Sequence, residues 1–401
     1  MLKQVEGSIG VAAAIALCKP DVICAYPITP QTHIVEALAD MVRKGKVECN
    51  CQYINVESEF AALSVCIGSS ATGVRSYTAT SSQGLLFMAE AVYNASGMRL
   101  PIVMTIGNRA IGGPINIWND QSDSMALRDA GWIQIHAESN QEAGDLHIQA
   151  FRIAEKLSIP VMVCVDGFLL THAYEQVEFA TQQQVDEFLP PMVPMQSLDV
   201  ENPISMGAMV GPEAFMEVRK LNIDHFNAAI DDIEQIAGEF EKIFGRKAGG
   251  LFEHYHSEDA ETVVVSLGSV NGTVKDIIDQ YQIDGVNIGS FKIGCYRPFP
   301  GKQIVEALKH AKRIIVVEKD VFAGVGGCLA NDMHIAFKDT DIKIYSVIGG
   351  LGGRPIFKKS LTAILDRGMK DELDDTSYID LDQAKVDQEF AREELFVGQA
   401  G

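Results

Sequence analysis

Val22-Ile23-Cys24-Ala25-Tyr26 runs directly into Pro27-Ile28-Thr29-Pro30. Five apolar or β-favouring residues without polar alternation read as a strand covered on both faces, as in a parallel sheet. The two prolines then restrict the backbone on either side of Thr29 and hold its hydroxyl in a fixed direction at the strand's end. Locally, Thr29 reads as the N-cap of a following helix with Pro30 in its first position. A hydroxyl preorganised at such a place also suits a substrate carboxylate, and the two readings are compatible.

The same alternation extends outward. Strands are expected at 52–56, 74–78, 102–106 and 161–165, with Ala-rich helical stretches at 58–67 and 83–96 between them. Residues 1–175 therefore read as a doubly wound α/β domain with its chemistry at the carboxyl ends of the strands. Residues 176–258 change character: Gln182-Gln183-Gln184, Pro190-Pro191 and Pro194 precede an amphipathic helix at 224–244, and the segment reads as an interdomain connection. A second alternation starts at 259, with strands at 262–266, 286–288, 313–317 and 342–346 and a helix at 301–310, so 259–365 reads as a smaller α/β domain. Residues 366–401, with Asp374-Asp375 and Glu393-Glu394, read as an acidic helical tail, solvated or laid against a partner subunit.

At about 150 residues per domain, 401 residues allow two or three domains. Lys+Arg number 33 against Asp+Glu 54, a net charge of -21 that repels phosphate backbones and anionic lipid, so neither nucleic acid nor membrane is an expected partner. No apolar run reaches the ~18 residues of a membrane span. The small-residue run at 11–17 reads as a closely packed helix rather than a signal core. The eight cysteines form no C-x-x-C pair and the nine histidines show no metal spacing. No metal, zinc or iron–sulfur site is expected within the chain, and free thiols fit a cytoplasmic location.

Three further segments could carry chemistry. In Asn55-Val56-Glu57-Ser58-Glu59 a carboxylate follows a strand and opens a helix, and the local sequence does not separate a macrodipole role from a functional one. Thr78-Ala79-Thr80-Ser81-Ser82-Gln83-Gly84 is a small-polar loop with room for a flat ligand, or a plain turn. In Gly107-Asn108-Arg109-Ala110-Ile111-Gly112-Gly113-Pro114, Arg109 either grips a carboxylate or forms a surface salt bridge. The glycine clusters at 324–327 and 349–353 lack the strand–GxGxxG–helix unit of a dinucleotide site.

Taken together with Asn116-Ile117-Trp118-Asn119-Asp120, Arg128-Asp129-Ala130-Gly131-Trp132, Asp166-Gly167-Phe168, Tyr296-Arg297-Pro298-Phe299-Pro300 and Gly350-Leu351-Gly352-Gly353-Arg354, these segments resemble, in order and over nearly the whole chain, the alpha subunit of the 2-oxoacid:ferredoxin oxidoreductases, the pyruvate synthase group. The resemblance implies a pyrimidine-side thiamine diphosphate domain followed by a transketolase C-terminal-like domain. It implies oxidative decarboxylation of pyruvate or a related 2-oxoacid to acyl-CoA, with electrons passing to ferredoxin. By the resemblance, Glu59 matches the carboxylate that bonds the aminopyrimidine of thiamine diphosphate. Arg109 and Thr29 match the substrate-carboxylate contacts, and Pro27, Ile28, Thr29, Ser82 and Gln83 line the cofactor. The G-D-G diphosphate signature and cysteine clusters are absent from the sequence. The resemblance therefore assigns the diphosphate and Mg²⁺ half-site to a beta subunit and the 4Fe–4S clusters to gamma and ferredoxin-like delta subunits or domains, with coenzyme A as co-substrate.

Thr29 is the pyruvate-type residue. Ile111-Gly112-Gly113-Pro114, however, replaces the Ser-Ala commonly found before that proline, which implies a pocket larger by about one or two methyl groups. A branched-chain or aryl 2-oxoacid such as phenylglyoxylate is the alternative substrate, with NAD as an alternative final acceptor. A non-catalytic assembly subunit is the remote alternative.

Overall fold

The computed structural model describes residues 2–399. Eight strands lie in the first half: β1 (Leu2–Glu6), β2 (Val22–Ala25), β3 (Gln52–Asn55), β4 (Ser76–Thr80), β5 (Ile102–Asn108), β6 (Ile133–His136), β7 (Val161–Asp166) and β8 (Tyr174–Glu178). Seven follow: β9 (Phe252–Tyr255), β10 (Thr262–Ser266), β11 (Ile288–Ile293), β12 (Cys295–Arg297), β13 (Arg313–Glu318), β14 (Lys343–Ile348) and β15 (Thr376–Tyr378).

The first sheet has the order β12-β6-β7-β5-β4-β2-β3 and is parallel except for β12, which pairs antiparallel with β6. Its strands divide their side chains between two cores. Ile23, Tyr77, Val103 and Val163 join the helices Gly7–Leu17, Thr32–Arg43 and Asn140–Leu157 on one face. Cys24, Met104, Met162 and Cys164 join Leu63, Val92 and Trp132 on the other. Burial on both faces is why β2, most of β5 and β7 carry apolar runs, and why the polar residues of β4, Ser76, Thr78 and Thr80, are buried as well. The second sheet, β15-β14-β13-β10-β11-β9, is parallel except for β9. It too lies between two cores, one centred on Phe291 and Tyr296, the other on Val264 and Ile278.

Several expectations shift. The strand expected at 74–78 occupies Ser76–Thr80, because Arg75 is buried below it in an ion pair with Glu155. The helix expected at 83–96 is two, Gln83–Phe87 and Ala89–Gly97, and the one expected from 224 begins at Phe215. The latter's second half buries Ala229, Ile233, Ile236, Phe240 and Phe244 in the first domain's core, so 176–258 contributes core as well as connection. Helices Val270–Ile283 and Cys328–Ala336 add to the second domain. β15 lies inside the stretch read as tail and extends the second sheet beside β14, so the tail proper follows it. The helix Gln383–Gln399 is largely exposed over its described side chains, and residues 400 and 401 lie outside the described residues. Among the described residues, no helix is long and apolar enough to cross a membrane.

Candidate active site

β3, β2, β4 and β5 are neighbours and parallel, so the segments following them open on one edge: Glu57-Ser58-Glu59, Tyr26-Pro27-Ile28-Thr29-Pro30, Ser81-Ser82-Gln83 and Arg109.

At the first of these, the two roles left open by the sequence fall to different residues. Ser58 caps the helix Glu59–Ala71, its hydroxyl accepting the Ala61 N–H at 3.2 Å. Glu59 is thereby free of capping. It is only 7% exposed and makes no hydrogen bond or ion pair with the described residues. Beside it lies Gly84: a Cβ there would stand 2.6 Å from Glu59 Oε1 and 2.5 Å from Thr80 Oγ1. The hydroxyls of Thr80 and Ser81 are also buried without partners among the described residues. A buried carboxylate, a glycine cradle and orphaned hydroxyls together form a polar niche that fits a flat, hydrogen-bonding heterocycle.

Thr29 is not the cap of the next helix. That helix starts at Thr32 with Gln31 in the N-cap position, and Thr29 sits in the exposed turn before it. Gln31 is fully buried and its amide donates to Tyr26 O at 3.0 Å, pinning the turn to the end of β2. The Thr29 carbonyl accepts from Arg109 Nη1 at 2.9 Å, while Arg109 Nε donates to Asn116 O at 3.0 Å. No carboxylate pairs with the Arg109 guanidinium among the described residues. Two carbonyls aim it, and burial pulls its pKa below the ordinary arginine value.

Asp123, which the sequence reading passed over, ties the edge together. Its Oδ2 accepts the N–H groups of Ser82 (2.8 Å) and Arg109 (3.0 Å), and its Oδ1 accepts Asn108 Nδ2 and the Ser124 N–H, both at 2.8 Å. These bonds hold Ser82 at φ 49°, ψ −124°, a conformation a serine adopts only when its surroundings impose it. Burial pushes the Asp123 carboxyl up to about 7, against four donors that favour the ionised form. In Asp123→Asn an amide NH₂ must face one of two donor pairs, Ser82 and Arg109 or Asn108 and Ser124, so the backbone on that side of the site should move. A displacement of about 1 Å costs on the order of 100-fold, and kcat/KM for the 2-oxoacid is expected to fall roughly 10- to 100-fold. The folded value exceeds that of an unfolded aspartate, about 4. The contribution of Asp123 to stability is thus fully present below about pH 4 and is lost as pH rises through about 7. Thermal midpoints measured between about pH 4 and 8 should fall less in the variant than in the unmodified protein.

Gln83 fills the space that glycine leaves at 112: a Cβ on Gly112 would lie 2.1 Å from Gln83 Nε2. The end of a flexible side chain, rather than backbone, therefore stands where glycine leaves room. The next loop docks the two domains on each other. Asn116 Nδ2 donates to Gly352 O (3.2 Å), the Gly352 N–H to Asp120 Oδ2 (3.1 Å) and the Gly353 N–H to Asn119 O (2.6 Å). Gly353, at φ 81°, also packs where a Cβ would meet that of Trp118 at 2.4 Å. Below this loop runs a tilted ring stack, Trp118–Phe168–His172–His33, with successive centroids 4.7 Å apart. His33 and His172 meet Glu6 with ligand atoms within 4.8 Å, a cluster drawn from three distant sequence positions and so invisible as a spacing. Tyr26, Phe60, Phe87, Ile115 and Trp118 remain exposed, and each lies in or beside the segments that form this edge.

A thiamine-type parallel domain followed by a smaller domain of the transketolase C-terminal kind defines the chain as a member of the thiamine diphosphate-fold proteins. Residues 13–238 match the family described as pyruvate flavodoxin/ferredoxin oxidoreductase, thiamine diphosphate-binding, and residues 260–361 match pyruvate:ferredoxin oxidoreductase core domain II. The chain belongs to the pyruvate:ferredoxin oxidoreductase family. It is 46% identical to pyruvate synthase subunit PorA of Methanosarcina barkeri over 91% of this chain and 92% of that one. It is 40% identical to ketoisovalerate oxidoreductase subunit VorA of Pyrococcus horikoshii over 91% and 93%. Its fold is shared, at a TM-score of 0.69 and 17% identity, with a 2-oxoglutarate:ferredoxin oxidoreductase from Magnetococcus marinus, covering 93% of this chain and 65% of that one.

Proposed function

We propose that the chain is the alpha subunit of a multi-subunit pyruvate:ferredoxin oxidoreductase and supplies the pyrimidine half of its active site. The observation that carries this reading is Glu59, a buried carboxylate without a partner beside the Gly84 cradle. Thiamine diphosphate, when bound, supplies the carbon nucleophile that attacks the ketone and takes up the electron pair released with CO₂. Glu59 holds a proton in exchange with the aminopyrimidine ring. Pro27, Ile28, Ser82 and Gln83 wall the ring, and Ser82 is fixed by Asp123. Arg109 and Thr29 orient the substrate carboxylate. The grip must relax as charge leaves that carboxylate, which suits an arginine aimed by carbonyls rather than a rigid ion pair.

In the same reading a beta subunit brings the diphosphate and Mg²⁺ half-site, covering the exposed aromatic rim. Gamma and delta subunits or domains carry the 4Fe–4S clusters, ferredoxin accepts the electrons, and coenzyme A takes the acyl group. Gln83 occupying the space beside Gly112 supports pyruvate over branched-chain or aryl 2-oxoacids. The test is anaerobic viologen reduction by the complex purified with this chain, across 2-oxoacids with and without coenzyme A. Pyruvate- and coenzyme A-dependent reduction supports the assignment, while an intact, thiamine-loaded complex inactive with every 2-oxoacid would sink it. Arg109→Ala should raise KM for pyruvate about 10- to 100-fold, the loss of a charged hydrogen bond worth roughly 1.5–3 kcal/mol. Unchanged kinetics would remove Arg109 from the site.

A further inference from the structure

Two of the quoted sequence stretches take no part in the site above: Arg128-Asp129-Ala130-Gly131-Trp132 and Tyr296-Arg297-Pro298-Phe299-Pro300. The fold brings them to the walls of one cavity of about 330 Å³, closed by Arg99 on one side and by Arg219 and Phe226 of the helix Phe215–Phe244 on another. In a chain of net charge -21 this cavity gathers four guanidinium groups against a single carboxylate, Asp129.

The four arginines differ in how far they are neutralised. Arg297 pairs with Asp332 at 2.9 Å and shares Asp129 at 3.4 Å. Arg128 reaches Asp129 only at 3.6 Å and donates to Met125 O at 2.8 Å. Arg99 has one acceptor, the carbonyl of Leu157 at 3.1 Å, and its Nε is buried with none among the described residues. Burial lowers the Arg99 pKa, as expected of a guanidinium lacking a counter-charge. Arg219 has no ion pair or hydrogen bond with the described residues. Two positive charges therefore stand without a carboxylate partner among the described residues, in a cavity that Phe226 and Phe299 also line. Forked N–H groups beside aromatic surface are the chemistry that recognises phosphate esters.

The cavity is also remote from the site at the carboxyl edge. Arg99 precedes β5 and Arg109 follows it; Gly131 and Ile159, which line the cavity, precede β6 and β7. A strand of seven residues at ~3.3 Å each puts the two places about 20 Å apart, on opposite edges of the sheet. One short segment spans both. The helix Ser122–Ala126 carries Asp123, which holds Ser82 and Arg109, and the chain leaving it supplies Arg128 and Asp129.

We propose that this arginine cavity is a second ligand site, taking a small phosphate-bearing anion, and that its occupancy is transmitted to Arg109 through residues 122–129. Binding stands independently of the catalytic reading above; its effect on turnover rests on that reading. Equilibrium dialysis of the purified complex, saturated with thiamine diphosphate, would use inorganic pyrophosphate and ADP as probes. The expected result is one saturable site per chain, weakened at least tenfold in Arg99→Gln/Arg219→Gln. The exposed Arg219→Gln alone should weaken binding several-fold, so the result does not depend on how the half-buried Arg99 variant folds. Equal affinity for the two probes assigns the site to phosphate itself, and tighter ADP assigns it to a nucleotide resting on the phenylalanines. No saturable binding of either probe, or affinity unchanged in both variants, overturns the site. Saturating probe should shift KM for the 2-oxoacid at least twofold in the unmodified complex and not in the double variant; an unshifted KM overturns the transmission. A complex that binds the probe but turns over no 2-oxoacid would fail the catalytic reading and uphold the site.

Discussion

Glu59→Gln is expected to lower 2-oxoacid-dependent viologen reduction by roughly 10²- to 10⁴-fold, the usual worth of a positioned acid–base group. Complex assembly should be unaffected. The substitution keeps the volume of the side chain, so the fit against Gly84 and Thr80 survives, and no hydrogen bond within the chain is lost because Glu59 makes none with the described residues. The helix start is also insulated, since its cap is Ser58. What disappears is a carboxyl able to give and take a proton at the niche. Retention of more than about a tenth of the activity, in a complex shown to be intact and cofactor-loaded, would remove Glu59 from that role.

Lys319→Met should have the largest effect on stability. Lys319 Nζ lies 3.0 Å from Asp166 Oδ2, and both side chains are nearly inaccessible. Asp166 also accepts the Ser269 N–H (3.1 Å), the Ser269 hydroxyl and, at 3.3 Å, Gln121 Nε2. This carboxylate at the end of β7 is thus a buried point at which the second domain is bonded to the first, beside the hydrogen bonds of residues 116–120 to Gly352 and Gly353. Burial alone would raise its pKa; Lys319 and Ser269 overcome that and hold it below the ordinary value. Removing only the cation strands a buried charge, which costs about 3–5 kcal/mol, or a thermal midpoint lower by about 4–6 °C. The double replacement Asp166→Asn/Lys319→Met should recover much of the loss, and calorimetry on the four members of the cycle separates pair from parts. The pH sign follows from the lowered pKa: the Asp166 contribution is present above about pH 4 and fades as pH falls through the folded value. A midpoint unchanged in Lys319→Met would show the pair to be dispensable.

Strands such as Val22–Ala25 and Val161–Asp166 announced the doubly wound sheet because burial on both faces keeps them almost wholly apolar, and the motifs at the strand ends marked the site's edge. The assignment of roles within each motif was less legible. Ser58 and Glu59 are adjacent and both compatible with a helix start; only the fold shows the serine capping and the carboxylate free. Thr29 looked like a cap because prolines often open helices, yet buried Gln31 takes that position by bonding back to Tyr26. Asp123 is one acid in a polar stretch, and its importance comes from donors just past the ends of β4 and β5 that only the tertiary fold assembles. Glycine at 112 suggested empty space, whereas a residue 29 positions earlier fills it. The first half of the helix Phe215–Phe244 left no periodic apolar mark because the chain buries little of it.

The pairing of β12 with β6 bears on how the protein is made. During synthesis, the edge of the first sheet at β6 must wait about 160 residues, from His136 to Arg297, for its covering strand. At typical ribosomal rates that is roughly 10–30 s with unpaired backbone groups open to other nascent chains. A gene fragment ending near residue 258 would keep that edge bare permanently. It is therefore a poor vehicle for producing the thiamine-side domain alone, however complete that domain looks in the linear sequence.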